Sequence, residues 1–204
     1  MTRFLLLILI LLQNIALAGE LPSEKKLVII GDSLTEGYGV AQDQAFPAIL
    51  EKKLQNLTGP RWQVINSGIS GSTSASASSR LEWVLKSKPD FILLVLGGND
   101  GLRGFPVKTI KENLQKAIRL AKDHKVRVAL AGMQMPPNYG AQYTKEFKMV
   151  FSSLAKEEKI PFLPFLLEGV ARKTNLNQAD GIHPNEEGHK MVAETVFIFL
   201  KDKL

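Results

Sequence analysis

Four short segments of this chain carry residue types suited to acyl transfer, and the first three each follow an apolar run. The first is LVIIGDSLTEGYG, residues 27–39, with Ser33 just beyond the run at residues 27–30. A short β-branched run ended by Gly31 reads as a strand buried on both faces. A serine at its carboxyl end is a candidate nucleophile, because ligands bind at that edge of open parallel sheets. Ser33 with Glu36 three residues on also fits a capping box for a following helix. The second segment, residues 67–79, is rich in Ser and Gly, and in it Gly71 follows the apolar run at 62–65. The third is GGNDG, residues 97–101, which brings Asn99 to the end of FILLVL, residues 91–96.

A serine hydroxyl, a glycine N–H and an asparagine amide form a nucleophile with two hydrogen-bond donors. Acyl transfer needs such a set, with the donors aimed at the oxyanion of a tetrahedral intermediate. Glycine, lacking Cβ, lets the backbone approach a ligand closely. Taken singly, Gly71 also reads as a turn glycine and Asn99 as a turn or cap residue. A hydroxyl further needs a base, and the chain has three histidines and no cysteine. His124 falls between a helix and a strand, at the amino edge of a parallel sheet and far from Ser33. His189 falls within the last helix, where a solvated face is expected. His183 lies in DGIHP, residues 180–184. Asp180, three residues earlier in the same turn, can hold the ring and stabilise the imidazolium.

The elements that must position these residues alternate regularly. Strands are expected at residues 27–30, 62–65, 91–96, 126–131 and 161–165, the last broken by prolines and therefore at a sheet edge. Helical spacing is present at 45–57, 80–85, 107–121, 143–156 and from about 186 to 201. This predicts an α/β fold, a doubly wound parallel sheet of about five strands with helices on both faces. No composition break suggests a second domain, so one domain is expected over residues 19–204. The loops after the third and fourth strands carry Leu102, Phe105, Met135, Pro137 and Tyr139, with Pro106, Met133 and Pro136 beside them. At the Ser33 edge they suit a fatty acyl chain; the alternative is that they close the core beneath the loops.

Residues 1–18 read separately. Arg3 precedes a purely apolar stretch at 4–12, and Ala16-Leu17-Ala18 is a small-residue cleavage pattern. This is the layout of a secretory signal peptide, with cleavage near Ala18 and export to the periplasm or medium. Gln13 and Asn14 interrupt the run short of the roughly 20 residues a span requires. The composition of the full 204-residue chain is ordinary, 45% hydrophobic and 23% charged, with a formal net charge of +6. The lysines are scattered, the largest clusters being pairs such as Lys25-Lys26, so nucleic acid is not an expected partner. At most, transient contact with an anionic membrane surface is expected. With three histidines and no cysteine, a structural zinc site is not expected, and acyl transfer by serine, histidine and aspartate requires no metal or cofactor.

GDSL at 31–34, Gly71, GGND at 97–100 and DGIHP at 180–184 together resemble the successive blocks of the GDSL, or SGNH, hydrolase family. The blocks occur in order over nearly the whole of residues 19–204. The G-x-S-x-G elbow of other α/β-hydrolases is absent. The resemblance implies a flavodoxin-like SGNH sheet and a triad of Ser33, His183 and Asp180. It also implies an oxyanion hole from the Ser33 N–H, the Gly71 N–H and the Asn99 side chain, with Gly68 a competing register for Gly71. GGNDGLRGF, PNYG and LPF, at 97–105, 137–140 and 163–165, are similar to a secreted bacterial branch described as thioesterase, lysophospholipase, arylesterase and esterase-type protease. That branch implies action without cofactor on small acyl esters, thioesters or lysophospholipids; separately, a monomer is expected. A carbohydrate deacetylase is the alternative enzyme, since the same residues serve short acyl groups.

Overall fold

The apolar run before Ser33 forms the strand about which the other strands are ordered. The computed structural model describes residues 24–204; residues 1–18 lie outside them. Strand β1 (Glu24–Gly31) is followed by a one-turn helix α1 (Ser33–Glu36), then α2 (Phe46–Leu54) and β2 (Arg61–Gly68). Helix α3 (Ala77–Leu85) leads to β3 (Phe91–Val95), the short α4 (Gly98–Leu102) and α5 (Val107–Asp123). Strand β4 (Arg127–Ala131), α6 (Ala141–Glu158), β5 (Phe162–Leu163) and α7 (Glu186–Leu200) complete the chain.

The five strands are all parallel, in the order β2-β1-β3-β4-β5. The chain runs outward from β1 to β2, then returns across β1 to β3, so the winding reverses between β1 and β3. That reversal opens a crevice at their carboxyl ends. Register aligns the three relevant ends, with Gly31 opposite Gly68 on one side and Val95 on the other. Right-handed crossovers send α2 to one face and the returning helices to the other. The packing agrees: α2 lies against α7, α3 against α5, and α5 against α6. Leu27–Ile30 and Phe91–Val95 are buried throughout, as strands covered on both faces must be.

Three local expectations differ from the structure. Strand β2 runs on through Asn66 and Ser67, polar residues tolerated because β2 is an edge strand. Strand β5 shrinks to two residues because Pro161 and Pro164 flank it and neither can donate to a ladder. Ser33 does not cap α1. Asp32 is the N-cap, its Oδ1 accepting from Leu34 N at 3.1 Å. The Glu36 carboxylate reaches away, to Ser70.

His189 is the larger correction. It is 1% exposed rather than on a solvated face. Helix α2 has Ala45 as its N-cap, which offers no side-chain cap, and the His189 Nδ1 on α7 accepts from Phe46 N at 3.2 Å. The ring stacks beside Phe46, and its Nε2 is buried with no partner among the described residues.

Candidate active site

Ser33 begins α1 directly past the end of β1. The turn is tight enough that a Cβ on Gly31 would stand 1.9 Å from Thr35 Oγ1, which explains a glycine there. Ser33 Oγ lies 2.9 Å from His183 Nε2, across 150 residues of sequence. His183 Nδ1 lies 2.7 Å from Asp180 Oδ2. The other oxygen, Asp180 Oδ1, accepts from Ile182 N at 2.8 Å and His183 N at 3.0 Å. Burial would raise the Asp180 carboxyl, but the backbone and ring of His183 and the Ile182 N–H outweigh it and hold the group at about 2. It is thus an anion throughout the ordinary pH range, suited to holding an imidazole and its positive charge.

The loop carrying His183 is pinned from two sides. Gln178 N donates to His183 O, and Gln178 Nε2 donates to Tyr38 O and Pro184 O. The Tyr38 ring stands 4.7 Å from that of His183. Of the other two histidines, His124 closes α5 at the opposite edge of the sheet, and the Nδ1 of His189 is taken by Phe46 N.

Opposite the histidine, α4 follows β3 through Gly97, whose φ of +117° few other residues would adopt. This brings Asn99 to the crevice, where its Nδ2 donates to Ser72 O at 3.0 Å and lies 3.5 Å from Asp32 Oδ2. Gly71 stands in the turn beyond β2 with φ +77°, its carbonyl accepting from Arg103 Nη2 at 3.2 Å. The Gly68 N–H is already used, donating to Asn66 Oδ1 at 2.9 Å, whereas the N–H groups of Ser33 and Gly71 have no acceptor among the described residues.

Sequence reading missed the polar side chains that hold these loops. Glu36 accepts from the backbone N and hydroxyl of Ser70, which ties the Gly71 turn to α1. Buried Asp100 accepts from Ser74 N and Oγ, which ties the same segment to α4. Arg80 donates to Gly31 O at 2.8 Å and to Ser67 O, joining the ends of β1 and β2. The only signal was adjacency: Asp100 follows Asn99, and Glu36 follows the serine turn.

A pocket of ≈ 230 Å³ opens beside this edge, lined by Leu34, Leu102, Met133, Met135, Pro137, Phe165 and Ile182 among others, with Arg172 at its rim. Leu102, Met135 and Pro137 line it. Phe105 and Tyr139 do not. The Tyr139 hydroxyl donates to Leu102 O at 3.2 Å, the Phe105 carbonyl accepts from the Tyr143 hydroxyl at 2.8 Å, and the Phe105 side chain is exposed. A larger groove of ≈ 390 Å³ lies over Glu82, Glu112, Lys116 and Arg119, walled by charge and distant from Ser33. Among the described residues no cluster of His, Asp and Glu could hold a metal ion, and no helix is long and apolar enough to cross a membrane.

A hydroxyl bonded to an imidazole, itself held by a carboxylate, can give up its proton while attacking a carbonyl. Free N–H groups and an amide facing the same crevice can accommodate the negative oxygen that results. Comparison with known proteins agrees with this chemistry. The esterase TesA of Pseudomonas aeruginosa is 38% identical over 179 residues, 87% of this chain and 89% of that protein. Thioesterase 1/protease 1/lysophospholipase L1 of Escherichia coli K12 is 39% identical over 169 residues, 82% of this chain and 79% of that protein. A crystal structure of TesA superposes with a TM-score of 0.84 at 38% identity, covering 88% of this chain and all of that one. The model of the GDSL-like lipase/acylhydrolase family matches residues 29–191, and the chain belongs to that family.

Proposed function

We propose that this protein is a serine hydrolase that cleaves ester and thioester bonds of acyl substrates through an acyl-enzyme on Ser33. The observation that carries the reading is the continuous hydrogen-bonded line from Ser33 Oγ to His183 Nε2 and from His183 Nδ1 to Asp180. Ser33 attacks the acyl carbonyl while His183 takes its proton, and Asp180 stabilises the imidazolium. The N–H groups of Ser33 and Gly71 and the Asn99 amide receive the oxyanion. His183 then protonates the leaving alcohol or thiol. Water, activated by the same imidazole, attacks the acyl-enzyme and restores Ser33. The apolar pocket supports an acyl chain as the recognised part, and the names of the relatives (esterase, thioesterase, lysophospholipase) favour the same substrate class. We further propose that residues 1–18 direct export and are removed, so that the protein acts as a monomer outside the cytoplasm.

The test is turnover of p-nitrophenyl esters, an acyl-CoA and a lysophospholipid by the intact enzyme and by Ser33→Ala. A covalent fluorophosphonate label serves as a second readout. Loss of both turnover and label in Ser33→Ala is expected. Near-normal turnover in that variant would overturn the assignment.

A further inference from the structure

Asp32 is a buried carboxylate beside the reacting atoms that the hydrolytic cycle leaves unused. It is 2% exposed and forms no ion pair among the described residues. Its Oδ1 caps α1 through Leu34 N. A cap needs only an acceptor, and asparagine caps a helix about as well as aspartate. An unpaired, desolvated charge is costly where a neutral amide would do the same work. The second oxygen distinguishes the two. Oδ2 lies 3.5 Å from Asn99 Nδ2 and under Gly98, where an added Cβ would come within 3.3 Å of it.

Asn99 has a donor end and an acceptor end of nearly the same shape. Only the donor end can receive an oxyanion; a carbonyl there would repel it. Two acceptors meet the nitrogen end, Ser72 O at 3.0 Å and Asp32 Oδ2. An ionised carboxylate can only accept, so it cannot pair with the Asn99 carbonyl. An asparagine at this position could, by turning its own NH2 toward Asn99. We propose that Asp32 is a positioning residue of the hydrolytic reaction, its ionised carboxylate keeping the amide nitrogen of Asn99 turned into the oxyanion site.

This inference rests on the ester-hydrolase reading and assigns the group that orients one of its donors. The charged groups facing Asp32 are His183 from the loop before α7 and half-buried Arg80 from α3, with Asp180 beyond His183. Burial pushes the Asp32 carboxyl up to about 6, against the Leu34 N–H and the charges of His183 and Arg80. Protonation in that range turns an obligate acceptor into a donor and releases Asn99. The Asp32 ionisation then contributes to the acid side of the activity profile.

The experiment measures kcat and KM on p-nitrophenyl butyrate for wild type, Asp32→Asn, Asn99→Ala and the double variant, from about pH 5 to pH 8. Asp32→Asn keeps the cap and is expected to fold. Its kcat should fall roughly tenfold to a hundredfold, less than the roughly hundred- to thousandfold loss of a whole donor. KM should change little, because the orientation matters only in the transition state. In the Asn99→Ala background the same substitution should cost nothing further. The acid limb should be less steep in Asp32→Asn than in wild type. Wild-type kcat with an unchanged limb, or losses that add in the double variant, would overturn the proposal. Should Asp32→Asn misfold by thermal unfolding, the limb of Asn99→Ala decides: a limb less steep than that of wild type supports action through Asn99, and an identical limb refutes it. Failure of the underlying reading looks different, since Ser33→Ala would then retain turnover.

Discussion

Replacing His189 by asparagine should change how stability depends on pH, because the wild-type chain balances two buried titrations against each other. Burial, and secondarily the charge of His183, lower His189 from 6.5 to about 4. The unfolded chain takes up a proton there between about pH 6.5 and 4 that the folded chain refuses. Folding therefore loses free energy as pH falls through that window, by roughly 3 kcal/mol, and keeps the full contribution above it. Asp32 runs the other way. Raised from 3.8 to about 6, it keeps its proton in the folded state while the unfolded chain releases it. Stability is then lost as pH rises from 3.8 to about 6, again by roughly 3 kcal/mol. The two slopes oppose each other, so wild type should be nearly level between about pH 4 and 6. Asparagine at position 189 keeps an acceptor for Phe46 N but cannot titrate, and it gives up the ring stacked beside Phe46. At pH 7 the variant should be less stable by roughly 1–3 kcal/mol from lost packing. By pH 4 the gap should close or reverse, since only wild type has lost the histidine contribution. Urea unfolding followed by the fluorescence of Trp62 and Trp83 reads this directly. Stability curves for wild type and His189→Asn that run parallel from pH 7 to pH 4 would refute the reasoning.

Three further outcomes follow from packing and sequence. Gly31→Ala would drive a Cβ to 1.9 Å from Thr35 Oγ1, itself fully buried, so unfolding free energy should fall by roughly 3 kcal/mol or more, visible as a lowered Tm. For p-nitrophenyl esters, kcat/KM should rise from acetate to medium chain lengths by up to about 0.8 kcal/mol, or fourfold, for each methylene buried, until the pocket is full. Met135→Gln should flatten that rise, whereas an acetate-favouring profile in the intact enzyme would point to the deacetylase. Intact mass of exported protein should give Gly19 as the first residue, and a membrane-bound species retaining residues 1–18 would contradict cleavage.

Much of this molecule is legible from sequence because its determinants are local. An unbroken apolar run such as FILLVL can be satisfied only in a strand covered on both faces, and helices of 3.6-residue period between such runs leave few alternatives to a doubly wound sheet. DGIHP is equally local, since a carboxylate three residues before a histidine in a turn meets its ring without help from the rest of the fold. What escapes the sequence depends on partners far along the chain. His189 looks solvated because histidine counts as polar in a helical pattern; only the uncapped Phe46 N–H, 143 residues away, makes its burial favourable. Glu36 has the spacing of a capping residue, but Asp32 already serves α1, which leaves the glutamate free to hold Ser70. Phe105 and Tyr139 carry apolar surface at the right edge, yet Leu102, Met135 and Pro137 are the ones that line the pocket, while the Tyr139 hydroxyl donates to Leu102 O and the Phe105 side chain is exposed. The same division governs the site itself. The groups proposed to react follow from short motifs, whereas those proposed to aim them, Asp32, Asp100, Arg80 and Gln178, act across elements. Their worth lies in geometry that only the assembled sheet edge creates.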